Sequence, residues 1–98
     1  MKNSESAEKK HRTNDCTRIA IAKCMVKYAE DGGEGCEFDK KSGDPYMSHH
    51  LLADLYGCTT VYAKFITKHG VHSIMAVDKL CEIFGIKKSE FMALGEVV

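Results

Sequence analysis

From residue 14 onward, apolar positions recur at helical spacing in five blocks, and most of the breaks between them contain glycine. The first block runs from Cys16 to Ala29. There Ile19, Ile21, Ala22, Met25, Val26 and Ala29 predict a broad stripe turned to the core, with Arg18, Lys23, Lys27 and Glu30 opposite. Thr13, Asn14 and Asp15 precede it and offer side chains that cap open helix amides. Residues 30–47, with four glycines and the sole proline, Pro45, then break the period. So long a connection in a small domain is either functional or loosely ordered, and its middle, Cys36 to Asp44, can close as a small hairpin.

Four shorter helices follow. Ser48 is a good cap for a second helix from His49 to Tyr56, which Gly57 ends in a left-handed conformation. Thr59 caps a third that runs to about His69, and Gly70 terminates it. Ser73 caps a fourth, in which Ile74, Val77, Leu80, Cys81 and Phe84 fall at helical spacing before Gly85. Phe91, Met92 and Leu94 form the apolar side of a short fifth. The pattern predicts an all-α domain over residues 14–98, with a long loop between its first two helices and a flexible basic arm over residues 1–13.

The stretch LLADLYGCTTVYAKFITKHG, residues 51–70, breaks one helix on a glycine and restarts at once behind two threonines. A helix-turn-helix needs a small residue where the helices cross, a glycine in the turn and buried aliphatics on the second helix. Ala53, Gly57, Ala63 and Ile66 have that spacing, with Cys58 as a buried turn residue. Here the chain resembles the lambda-repressor-like helix-turn-helix family, also called Xre or Cro-like. LADLYG, Ala63, Ile66 and the later LCEIFGI stand where that family's recurrent residues stand, over roughly residues 48–96. His49 replaces the glutamine usual near the start of the family's second helix.

The resemblance implies a five-helix domain that binds double-stranded DNA as a homodimer, a transcriptional regulator acting as a repressor on a palindromic operator. With the third helix in the major groove, Thr60, Val61, Tyr62, Lys64 and Phe65 would read base edges. His49, Lys68 and the N-terminal ends of the second and third helices, capped by Ser48 and Thr59, would hold phosphates. Lys9, Lys10 and Arg12 of the arm would follow the backbone or the minor groove. Phe91, Met92, Leu94, Val97 and Val98 are the candidate dimer surface.

Composition tempers this picture. Apolar residues make up 44% and charged residues 29%, a globular balance, and net charge is zero. A neutral total argues mildly against nucleic acid, but Glu30, Asp31, Glu34, Glu37, Asp39 and Asp44 gather in one stretch, leaving basic residues on either side. No apolar run is long enough for a membrane span and no secretory leader is visible, so a cytoplasmic chain without membrane contact is expected. The five scattered cysteines are read as reduced thiols. Cys36, His49 and His50 form the nearest candidate metal trio, but they lack any structural zinc spacing, so no metal or cofactor is expected. No nucleophile elbow, phosphate loop or carboxylate pair points to an enzyme. The competing reading is a protein-interaction module or antitoxin-like partner on the same fold, in which Val61 and Phe65 meet protein.

Overall fold

The structure, a computed structural model, describes residues 13–96. The arm expected over residues 1–13 therefore lies outside the described residues except for Thr13, as do Val97 and Val98. Within them the chain is mostly helical. Its elements are α1 (Asp15–Glu30), β1 (Glu37–Phe38), β2 (Pro45–Tyr46), α2 (His49–Tyr56), α3 (Thr60–His69), α4 (Ile74–Phe84) and α5 (Lys88–Leu94).

The helix boundaries follow from their caps. The Asn14, Ser48, Thr59 and Ser73 side chains accept from the backbone amides of Thr17, Leu51, Tyr62 and Ala76, each satisfying a donor that the first turn leaves open. Gly57 ends α2 at φ 85° and ψ 39°, and Ala53 O accepts from both Gly57 N and Cys58 N, at 2.8 and 2.9 Å. A Cβ at Gly57 would meet nothing, so glycine is favoured there by backbone conformation alone.

α1 is the element on which α3, α4, α5 and β2 all pack, while α2 lies on α3 and α4. Phe91, Ile21, Leu52, Ile66 and Leu80, one from each helix, form the fully buried centre. Ala53 and Ala63, 2% and 0% exposed, keep α2 and α3 close. The segment after α1 is ordered: Tyr28 OH donates to Glu34 O at 2.9 Å, and β1 pairs antiparallel with β2, Glu37 opposite Tyr46 and Phe38 opposite Pro45. The Asp39 carboxylate organises the hairpin turn, accepting from Lys41 N and Ser42 Oγ. Met47, buried, anchors the strand's exit in the core.

Four expectations about burial need correction, the smallest being Cys58, expected buried in the turn and only half-buried. α1 buries Thr17, Ala20, Ile21, Cys24 and Ala29, whereas Ala22 is exposed and Val26 is 57% exposed. The apolar residues of this helix extend around more than one face, and the face chosen includes a threonine and a cysteine that a search for large aliphatics passes over. Ile74, expected in the stripe of α4, is 67% exposed, because Ala76 and Val77 turn inward at that end. Phe91 is wholly buried, so it fills the core and is unavailable to a dimer surface; Met92 stays 38% exposed.

Thr17 has the largest structural role of any residue missed in the sequence. Its hydroxyl, in a residue 2% exposed, accepts from Val71 N at 2.9 Å and donates to Val71 O at 3.0 Å. Alongside, Asn14 N donates to His69 O at 2.7 Å. Gly70, at φ 77°, lies so close that a Cβ would collide with Asn14 O and Thr17 Oγ1. The start of α1 is thus latched to the link between α3 and α4.

Two predictions follow from this packing. Thr17→Val should strand the buried Val71 amide and carbonyl and cost about 2 kcal/mol. At this chain length that corresponds to a Tm lower by roughly 10 °C in a thermal melt. Thr17→Ser, which retains the hydroxyl, should lose much less. Burial, helped by neighbouring Cys81, pushes the Cys24 thiol up to about 11 from its ordinary 9.0. Between those values the unfolded chain sheds this proton while the folded chain keeps it, so stability is complete below pH 9 and falls as pH rises. The loss should reach roughly 2 kcal/mol for this group. The drop in urea midpoint between about pH 8 and about pH 10.5 should be smaller in a Cys24→Ala variant than in the parent.

Candidate nucleic-acid interface

The site is assembled around α3, whose sequence TVYAKFITKH divides into two sides at about 100° per residue. Ala63 and Ile66, 0% and 1% exposed, point into the core. Val61, Lys64, Phe65 and Lys68 occupy the opposite side, and all four are exposed, Val61 at 79% and Phe65 at 36%. Thr60 is half-buried at the helix start. Thr59 Oγ1 accepts from Tyr62 N at 3.1 Å, so this threonine fixes the helix terminus.

His49 stands at the first position of α2, half-buried, with Nε2 3.1 Å from Thr67 Oγ1. The Thr67 hydroxyl already donates to Lys64 O at 2.9 Å, so the hydrogen between histidine and threonine belongs to Nε2. His49 therefore pins the start of α2 to the last turns of α3, and this donor is committed within the chain. Of the residues singled out in the sequence, Val61, Lys64, Phe65 and Lys68 come together on one open face. Tyr62 flanks it, and Thr59, Thr60 and His49 set its position.

A row of aromatic rings along one flank was not anticipated. Tyr56 and Tyr62 have centroids 6.0 Å apart, Tyr62 and Phe65 stack at 6.3 Å with 13° between planes, and Phe65 and His69 lie 4.8 Å apart. Lys79 of α4 places its Nζ 4.7 Å from the Tyr56 ring centroid. Burial pushes the Tyr56 phenol up from its ordinary value, and Tyr62 and Cys58 beside it add to the effect. Tyr62, Phe65 and His69 are spaced three and four apart, a legible signal for one helix side; the Tyr56 contact crosses the turn and is not local.

The opposite flank is cationic. α3 contains no acidic residue, and among the described residues neither Lys64 nor Lys68 joins an ion pair. Asp54, on α2, lies 3.6 Å from His50. The face therefore combines an exposed aliphatic centre, rings on one side and lysines on the other. The first-turn amides of α3 stand at its open end without intrahelical acceptors. Such a surface can contact an anion and an apolar group together.

Among the described residues no group of three or more histidine, cysteine or acidic side chains is placed so that it could hold a metal ion, the Cys36, His49 and His50 trio included. All five cysteines carry free thiols. No helix among the described residues is long and apolar enough to cross a membrane. Comparison with family models, with curated proteins and with solved structures found no match.

The division of α3 into two sides makes a stability prediction. Val61→Ala and Lys64→Ala should stay within about 0.5 kcal/mol of the parent in urea unfolding. Ile66→Ala should cost roughly 2–5 kcal/mol by opening a core cavity. Equal losses at all three positions would mean that the helix is rolled differently on the core.

Proposed function

We propose that the chain is a sequence-specific DNA-binding transcriptional regulator of the lambda-repressor-like helix-turn-helix type. It acts as a homodimeric repressor on a palindromic operator. The observation that carries this reading is the α2–α3 pair. A three-residue turn, Gly57 to Thr59, joins two helices held close by Ala53 and Ala63, and the outward side of the second exposes Val61, Lys64, Phe65 and Lys68. A helix presented in that way is the element that such proteins lay in a major groove. In this reading Lys64 and Lys68 meet phosphates or guanine acceptors, Val61 and Phe65 meet base edges, and His49 orients the pair. One helix of ten residues reads few bases, so two copies contact half-sites about 34 Å apart.

A second reading is supported by the exposed apolar area itself. Val61, Phe65, Tyr62 and, on α2, Leu55 at 44% exposure could seat a protein partner, as in an adaptor or an antitoxin-like protein on the same fold.

Gel shifts across a salt series with duplexes selected from a random pool separate the two. DNA binding predicts that affinity falls steeply and log-linearly with salt, and Lys64→Ala should reduce the salt slope by roughly one if it touches a phosphate. Affinity that stays in the nonspecific range for every duplex, unchanged by Lys64→Ala, would leave the partner reading in its place.

A further inference from the structure

We infer that the outward face of α3 recognises its half-site chiefly through thymine C5 methyl groups, which would make the preferred duplex rich in T·A pairs at the positions under Val61 and Phe65. The inference rests on the DNA-binding reading and specifies its ligand. Its first ground is the chemistry that α3 lacks. Across Thr60–His69 there is no arginine, the usual bidentate partner of guanine, and no asparagine or glutamine to pair with adenine. There is also no aspartate or glutamate to accept from the cytosine amino group. For guanine there remain lysine, which acts as a point charge rather than a fork, and Thr60, whose hydroxyl bonds either base type and so discriminates little.

The second ground is what the helix exposes instead. Val61 in the first turn is 79% exposed, and Phe65 stands one turn later on the same side, so the two form a paired apolar surface. Phe65 is held between Tyr62 and His69, with ring centroids 6.3 and 4.8 Å away, so its orientation is set before any ligand arrives. In the major groove the group that an apolar side chain can distinguish is the thymine methyl, which only one of the four bases carries. Lys64 and Lys68, flanking the apolar pair, would supply affinity without dictating sequence.

Deoxyuridine, which pairs as thymidine does and lacks only that methyl, provides the test. Duplexes selected by the full chain are remade with single thymidines replaced by deoxyuridine, and affinities are measured for the parent, Val61→Ala and Phe65→Ala. At one or two thymidines in each half-site the parent should lose about fourfold per methyl, the worth of burying one such group. Val61→Ala or Phe65→Ala should bind the thymidine and deoxyuridine duplexes equally at its own position, a coupling that a merely structural effect would not produce. Sequence-specific binding that ignores every deoxyuridine, or a loss that persists unchanged in both variants, overturns the inference and leaves the DNA reading standing. Failure to select any duplex overturns both.

Discussion

The geometry of the molecule depends on one buried hydroxyl. Thr17 is the sole polar residue in the buried set of the described chain, and a buried hydroxyl is tolerated only when its hydrogen bonds are made. The hydroxyl donates to and accepts from Val71, 54 positions along the chain, and also lies 3.3 Å from Asn14 O. Together with the Asn14–His69 bond and the close seat of Gly70, this registers residues 69–71 against residues 14–17. The end of α3 is consequently located by α1, and α4 leaves from a fixed point.

That latch sets where α3 ends but not which side it presents. The roll of the helix comes from its partner α2: Ala53 and Ala63 allow the approach, Ile66 fills the space beneath, and His49 ties the start of α2 to Thr67. With the inward side so occupied, Val61, Lys64, Phe65 and Lys68 are left outward by geometry. A regulator needs its reading side chains held by a rigid frame, since a loosely held helix loses discrimination with every ångström of slack. The proposal of DNA binding therefore rests on packing behind the face as much as on the side chains within it.

What could be read from the sequence was what local chemistry decides. Ser48, Thr59 and Ser73 act on amides three residues away, and Gly57 and Gly85 adopt the left-handed conformation that ends the helix just before them, so the starts and stops of α2, α3 and α4 were legible. The hairpin was legible only in part: Asp39 organises its turn at short range, but its second strand, Pro45–Tyr46, lies beyond the expected residues 36–44. The outward set on α3 also followed from periodicity once the inward residues were chosen. The buried side of α1 was legible only in part: Ile21 and Ala29 face inward as the period predicts, but Thr17 does so too while Val26 faces out, and only distant partners decide that. Thr17 matters because of Val71, and Phe91 is core because α1 offers it a seat; neither fact has a local signal. The ring of Tyr56 beside Tyr62 likewise arises only after the turn has folded.

The zero net charge, which counted against nucleic acid in the sequence, carries less weight once the charges are placed. The Asn14–His69 bond puts the Lys68 end of α3 at the start of α1. Glu30 and Asp31 lie at the far end of that sixteen-residue helix, about 24 Å away at 1.5 Å per residue. This is about three Debye lengths at physiological ionic strength, so their repulsion of a polyanion near Lys68 is largely screened. Asp31 is, besides, 3.7 Å from Lys27. A total summed over the whole chain thus says little about the field over a single helix face. Nearer the face, Asp15 at the start of α1 is paired with Arg18 at 3.2 Å, and the positive groups that a phosphate would meet are Lys64, Lys68 and the α3 amides that Thr59 leaves open.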